Sequence, residues 1–313
     1  MSGIAFLFPG QGSQRPGMGR ALAQAYPESR AVFDAADAAL GVDLARTCFD
    51  GSAESLARTE TTQPAILTVS IAALRALERR GLHAVAAAGH SLGEYAAHVA
   101  AGTLAFEAAV RCVRDRGRFM QEAVPEGAGA MAALLGLDAA AVERVCRESA
   151  AGEVVSPANW NGPDQVVIAG HAAAVERAIA RALAAGVRRA VRLEVSAPFH
   201  CSLMLPAAQR LSVVLESIEF GRPAFAVYGN VDAQPIRDGA EAKQALVRQV
   251  VSPVRWHELV QAMVGDGIET FVEIGPGRVL AGLVRRIHRT ARVFSVEDPV
   301  GVEEVVEALG AVA

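Results

Sequence analysis

Gly89-His90-Ser91-Leu92-Gly93-Glu94-Tyr95 is the stretch on which the chain turns. It follows an apolar run of strand length, Ala84 to Ala88, and precedes Ala96-Ala97-His98-Val99-Ala100-Ala101, which reads as a helix. Strand, sharp turn and helix is the setting in which Gly-x-Ser-x-Gly forms a nucleophile elbow. Gly89 and Gly93 lack the Cβ atoms that would clash where the two elements crowd together, so the backbone can hold Ser91 at the tip of a strained turn. Its hydroxyl would stand at the carboxyl edge of a sheet, with the Leu92 amide and the helix start behind it, donors suited to an oxyanion. In a chain with 29 glycines the pattern alone is weak. Ser91 needs a base, an orienting group and a second oxyanion donor before a reaction follows.

On the amino-terminal side, Ile4 to Phe8 is a continuous apolar run, as in a central parallel strand. Pro9-Gly10-Gln11-Gly12-Ser13-Gln14 then turns the chain without the ending of a P-loop or the spacing of a dinucleotide fingerprint. Gln11 is placed to present an amide near the active centre. Gly19 to Gly81 reads as helical, with Pro27 and Gly51 as breakers and Thr61-Thr62-Gln63-Pro64 as the start signal of a helix from Ala65 to Arg80. Gln63 in that signal is a candidate for substrate binding.

Carboxyl-terminal to the elbow, a helix from Phe106 to Glu122 has an apolar face of Ala109, Cys112, Val113, Phe119 and Met120. Arg116 falls in the middle of it. A guanidinium keeps its proton, so one that points inward is paired or awaits an anion. A buried ion pair with Glu94 is one reading; a planar fork aimed at a substrate carboxylate is the other.

Pro125-Glu126-Gly127-Ala128-Gly129 marks a boundary. Beyond it come strand Ala130 to Leu135, helix Asp138 to Ser149, strand Val154 to Trp160, a turn, strand Gln165 to Ala169, helix Ala172 to Ala185 and strand Arg189 to Val195. That is the ferredoxin-like order. The expected organisation is a large α/β domain with a parallel central sheet, residues 1–125 and 197–313, carrying a small α+β domain inserted at residues 126–196. Asn159 and Asn161 border its hairpin and are placed to face a cleft.

Among seven histidines, His200 in Ser196-Ala197-Pro198-Phe199-His200 is the best base, on a loop that Pro198 stiffens where the chain re-enters the large domain. His90, Glu94 and His98 have helical spacing, yet no further ligand is apparent and no metal is expected. Later come a helical stretch to Glu216, a strand around Ala224 to Tyr228 followed by Gly229-Asn230-Val231-Asp232, a helix from Ala240 to Val250, and strand Phe271 to Ile274 running into Gly275-Pro276-Gly277. Val279 to Arg289 carries Arg278, Arg285, Arg286 and Arg289 in or beside it, the most basic patch of the chain and a candidate surface for an acidic partner.

With 313 residues, 52% of them hydrophobic, the chain can bury a large core. A net charge of -4 without long charged blocks, and only 5% aromatic residues, leave no nucleic-acid footprint. The apolar amino-terminal run is too short to span a bilayer and has neither the basic flank nor the cleavage site of a signal peptide. Cys48, Cys112, Cys146 and Cys201 are scattered, as reduced thiols in a cytoplasmic protein would be.

Taken together, Phe8 to Gln14, Gly89 to Tyr95, the inward Arg116 and Phe199-His200 resemble the malonyl-CoA:acyl carrier protein transacylases of bacterial fatty-acid synthesis. Asn230-Val231-Asp232, Val247-Arg248-Gln249 and Glu273 to Gly277 match as well, so the likeness runs the length of the chain. It implies a hydrolase-like large domain, Ser91 as nucleophile, His200 as general base, and a backbone carbonyl at Gln249 that orients the histidine in place of a triad acid. It further implies oxyanion amides at Leu92 and Gln11, Arg116 as the clamp on the malonyl carboxylate, and Phe199 as a bulky wall that leaves little room for a branched acyl group. Malonyl-CoA as substrate, acyl carrier protein as partner, no permanently bound cofactor and a monomer follow from the same likeness.

Three alternatives compete. An α/β-hydrolase esterase or thioesterase using Ser91 requires a carboxylate on the histidine and leaves Arg116 idle. A trans-acting polyketide acyltransferase shares the chemistry and differs in carrier protein. A non-catalytic carrier-docking factor has no use for an intact Ser91, His200 and Arg116.

Overall fold

In the computed structural model, which describes residues 3–195 and 197–310, ten strands form two sheets. Met1 and Ser2, at the expected leaderless start, and Ser196, at the expected re-entry point, lie outside the described residues.

The larger sheet contains β1 (Gly3–Phe8), β2 (Ala86–Gly89), β7 (Ala226–Tyr228), β8 (Pro235–Ile236), β9 (Ile268–Ile274) and β10 (Arg292–Val296), in the order β10-β9-β1-β2-β7-β8. All its pairings are parallel except β7 with β8. Helices cover both faces, so a central strand has no polar side. In β1, Phe6 and Phe8 enter one core cluster while Ala5 and Leu7 enter another. The continuous apolar run of the sequence is the consequence.

The smaller sheet is antiparallel, in the order β4-β5-β3-β6, built from β3 (Gly129–Leu135), β4 (Val155–Gly162), β5 (Gln165–His171) and β6 (Arg189–Arg192). Helices Ala139–Ser149 and Ala172–Ala184 follow β3 and β5, which completes the expected βαββαβ order. Period-two alternation sorts its side chains. Ala132, Leu134, Val166 and Ile168 pack under those helices, whereas Met131 and Val167 turn toward the larger half and line a cavity there.

A seam joins the two halves. Trp160 N–H donates to the Val254 carbonyl and Val254 N–H donates to that of Ala158, both at 2.8 Å, so β4 gains a bridge to the larger half opposite Asn159. Arg286 Nη1 donates to Gln165 Oε1 at 2.9 Å, a second tie.

Some boundaries differ from expectation. β6 stops at Arg192 instead of Val195, because Leu193 and Val195 turn into the cleft wall. The basic helix spans Val279–Ile287, so Arg289 lies beyond it. Neither β10 nor helix Pro299–Leu309 is anticipated by the sequence reading.

Candidate active site

β2 delivers the chain to Ser91 and helix Gly93–Ala100 carries it away. A Cβ on Gly89 would stand 1.8 Å from the Gly93 carbonyl carbon, and one on Gly93 would stand 2.0 Å from the Phe8 carbonyl oxygen. Both glycines are therefore obligatory: Gly89 for the expected reason, the crowding of strand and helix within the elbow, and Gly93 because the helix start presses on the end of the neighbouring β1. Ser91 itself sits at φ 51°, a left-handed conformation that costs a non-glycine residue about 1–3 kcal/mol. One side chain holds the turn in place: Asn230 Oδ1 accepts from Ser91 N–H at 2.7 Å while its Nδ2 donates to the Gly89 carbonyl at 2.7 Å.

Ser91 Oγ lies 2.7 Å from His200 Nε2. His200, also left-handed at φ 61°, places Nδ1 2.8 Å from the Gln249 carbonyl oxygen. A carbonyl only accepts, so Nδ1 carries the proton and Nε2 turns its lone pair toward Ser91. Burial, followed by the nearby Arg116 charge, pushes the imidazole down to about 3. The imidazole is therefore held in its neutral form through the physiological range.

Arg116 is 1% exposed. Its helix, Phe106–Glu122, approaches helix Thr59–Glu78 closely, since a Cβ on Gly117 would stand 2.6 Å from the Thr59 carbonyl oxygen. Arg116 Nη1 donates to Gln63 Oε1 at 2.8 Å, and Nη2 donates to Gln249 Oε1 at 2.9 Å and to Ser91 Oγ at 3.1 Å. The possible ion pair with Glu94 is not among these contacts. Glu94 Oε2 instead accepts from Asn230 N–H at 3.0 Å and from Gln249 Nε2 at 2.8 Å, and burial pushes its carboxyl up to about 7. The direct partners of the guanidinium are neutral oxygens, which leaves its charge available to an anion.

The cavity over Ser91 has a volume of about 90 Å³. Gln11, Gln63, Leu92, Arg116, Asn159, Phe199 and His200 border it together with apolar Met120, Met131, Val167, Leu193 and Val195. Every expected catalytic, oxyanion and substrate residue except Asn161 and Gln249 is thus on its wall. Gln249 stands behind, reaching the site through its carbonyl and its side chain. Leu92 precedes the helix that starts at Gly93, and the Gln11 side chain turns to Thr59 Oγ1 at 3.3 Å.

A wider cleft of about 380 Å³ adjoins this cavity, sharing Gln11, His90, Asn159 and Val167 with it and extending to Asn161, Gln165 and Leu283. His90 Nε2 meets Asn161 Oδ1 at 2.9 Å, linking the elbow to the hairpin. Arg278, Arg285, Arg286 and Arg289 are exposed beyond the cleft. Arg278 lies 3.8 Å from Glu297, and Arg285 Nη2 donates to the Val293 carbonyl at 2.8 Å.

Sequence reasoning missed Asn230 as the clamp of the elbow, the side chain of Gln249 as a partner of Arg116, and the His90 to Asn161 link. A signal existed for the first, a Gly-Asn pair just past a strand end, but turn residues are common there. Among the described residues, no group of three or more His, Cys, Asp or Glu is arranged to hold a metal, and no helix is long and apolar enough to cross a membrane.

Comparison with known proteins is consistent along the chain. The model of the acyl transferase domain matches residues 5–307. The malonyl CoA-acyl carrier protein transacylase of Escherichia coli (strain K12) is 51% identical over 300 residues, 96% of this chain and 97% of that protein. The solved malonyl CoA-acyl carrier protein transacylase of Coxiella burnetii superposes with a TM-score of 0.96 at 43% identity, covering 98% of each chain. A chain from a solved complex of a type II PKS acyl-carrier protein with its malonyl-transacylase superposes with a TM-score of 0.96 at 48% identity, covering 98% of this chain and 100% of that one.

Proposed function

Because the chain belongs to the acyl transferase family, we propose that it moves a malonyl group from malonyl-CoA to the phosphopantetheine thiol of an acyl carrier protein, through a malonyl-Ser91 intermediate. The observation that carries this reading is Arg116, a buried cation contacted by neutral oxygens and 3.1 Å from the Ser91 hydroxyl.

The chemistry follows from the geometry. His200 Nε2 takes the Ser91 proton as Oγ attacks the thioester carbonyl, while the Gln249 carbonyl holds the imidazolium through Nδ1–H. The oxyanion is received by the amides of Leu92 and Gln11. Its collapse breaks the C–S bond, and His200 returns the proton to the departing CoA sulfur. The carrier thiol then runs the same steps in reverse and frees Ser91.

Selection falls to Arg116. A malonyl carboxylate accepts from its two Nη groups, whereas an acetyl group leaves the guanidinium without its anion, at a cost of about 1–3 kcal/mol. Gln63 steadies the fork, and Phe199 narrows the space beside the base. Asn159 and Asn161 offer side-chain amides along the wider cleft, where the polar pantetheine arm would lie. Arg278, Arg285, Arg286 and Arg289 suit the acidic surface of a carrier protein.

We read residues 126–196 as a domain inserted between 1–125 and 197–313, the site lying between the halves. The four cysteines, all free and buried, fit the reducing cytoplasm.

Incubation with malonyl-CoA followed by intact-protein mass measurement tests the reading. A malonyl adduct is expected on wild type and none on Ser91→Ala; equal labelling of both would refute it. Arg116→Ala is expected to lower the malonyl-to-acetyl preference about 10-fold or more. A fatty-acid and a polyketide carrier protein offered in competition separate the main reading from its nearest alternative, which the likeness to the polyketide complex keeps open. A hydrolase would need a carboxylate where the Gln249 carbonyl stands.

A further inference from the structure

Gln249 is engaged at both ends of its side chain. Its Oε1 accepts from Arg116 Nη2, and its Nε2 donates to Glu94 Oε2 at 2.8 Å and to the Ser91 carbonyl at 3.0 Å. A primary amide is nearly symmetric in shape but not in polarity. Turned over, it would set an NH2 against a guanidinium and an oxygen against three acceptors, the third being Asn230 Oδ1 at 3.4 Å. What fixes its direction is therefore the acceptor on the far side from Arg116. Glu94 supplies the shorter of the two close contacts and is fully buried.

We propose that Glu94 is a positioning residue for acyl-group selection: by fixing the direction of the Gln249 amide it holds Arg116 aimed at the free carboxylate of the acyl group. The inference rests on the transfer reading above and adds a residue to it. Placing an amide between carboxyl and guanidinium has a chemical point. Direct contact would neutralise the cation and compete with the substrate, whereas a relay orients it and leaves its charge for the ligand.

The second oxygen of Glu94 supports the same role. Oε1 has no hydrogen-bond partner among the described residues and lies 4.0 Å from His98 Nε2. A proton on Oε1 leaves Oε2 free to accept, so the relay works with the carboxyl in either state. A glutamine at this position can present an oxygen at the same point. Loss of the acceptor is expected to matter; loss of the charge is not.

The test uses the full chain and competing malonyl-CoA and acetyl-CoA, read as rates of Ser91 acylation by mass. Glu94→Met, close in volume but without an acceptor, is expected to lower the malonyl-to-acetyl ratio about 10-fold, chiefly through a higher KM for malonyl-CoA. Glu94→Gln is expected to stay within about threefold of wild type. General loosening of the elbow slows both substrates alike and leaves the ratio unmoved. The double variant Glu94→Met/Gln249→Met is expected to lose no more selectivity than Gln249→Met alone, since one residue acts through the other. An unchanged ratio in Glu94→Met, a drop in Glu94→Gln as large as in Glu94→Met, or additive losses in the cycle would each overturn the proposal. If Glu94→Met does not fold, Glu94→Ala takes its place, and a roughly 10-fold drop in Glu94→Gln alone is still decisive against it. A wild type that shows no malonyl preference defeats the transfer reading itself, a distinguishable result.

Discussion

Two strand-to-helix turns flank β1 and have opposite fates. At the end of β2, Ser91 stands before helix Gly93–Ala100; at the end of β9, Gly275-Pro276-Gly277 stands before helix Val279–Ile287. In the second, the protein fills the helix start with its own carboxylate. Glu273 Oε1 and Oε2 accept from Leu280 and Ala281 N–H at 3.0 and 2.7 Å. In the first, the carboxyl of Glu94 is turned away into the Gln249 relay, and the helix start faces the cavity. The same local geometry is capped from within in one place and left facing a cavity in the other. What decides is where the nearest acidic side chain is tied.

Substitutions can strain this contrast. The largest stability effect is expected at the first turn. Gly93→Ala drives a Cβ to 2.0 Å from backbone oxygen, so loss of about 4 kcal/mol or failure to fold is expected in urea melts. At the second turn Gly277→Ala meets nothing closer than Ser13 Cβ at 3.4 Å and suffers only its φ of 84°. A loss of about 1 kcal/mol should appear there. Equal losses would mean that the last glycine of the second turn is not as open as it looks, unlike Gly275, where a Cβ would stand 2.3 Å from Ser70 Oγ.

Glu273→Ala lies between these. It strips two buried N–H groups of their acceptor, for a loss of about 2–3 kcal/mol in the same melts with Ser91 acylation retained in the folded fraction. Loss of acylation without loss of stability would show that the second turn is part of the reaction after all.

The smallest effect expected is a nearly absent one. Because burial and Arg116 hold His200 down to about 3, its neutral form persists as the medium is acidified. Between pH 8 and 5, kcat/KM for malonyl-CoA should show no loss from this group, where an imidazole of ordinary pKa would give a fall of about 30-fold. For stability the sign is the reverse of a salt-bridged histidine. The unfolded chain takes up a proton below about 6.5 that the folded site refuses, so His200 erodes stability as pH falls from there toward 3. Thermal melts of wild type and His200→Asn over that range should converge toward acid.

The elbow was legible because its information is local: two glycines around a serine, an apolar run before and a helical one after. Arg116 was legible too, since one helix wheel suffices to show a cation on the apolar side. Its contacts were not, because Gln63 and Gln249 lie 53 and 133 residues away and, although the sequence points to both, nothing local pairs either side chain with Arg116. Glu94 was linked to Arg116 by charge alone, and the intervening amide is a tertiary fact. The small sheet was readable from its alternation up to Arg192; beyond it Leu193 keeps one backbone bond to the Met131 carbonyl while its side chain and that of Val195 line the cleft wall. β10 is an edge strand with an arginine first and partly buried neighbours, so its sequence has little of the apolar continuity that betrays β1.

The backbone bridge opposite Asn159 has a consequence for traffic. Swinging the halves apart would rupture its two hydrogen bonds, worth about 1 kcal/mol each, together with the Arg286 to Gln165 and His90 to Asn161 ties, and would bare the strand edge they cover. A fixed corridor is the alternative to a gate, and the cleft of about 380 Å³ that adjoins the cavity over Ser91 would serve as that corridor. On the transfer reading proposed above, donor and acceptor thiols would share that one approach to Ser91, so a seam that stays shut would make them take turns.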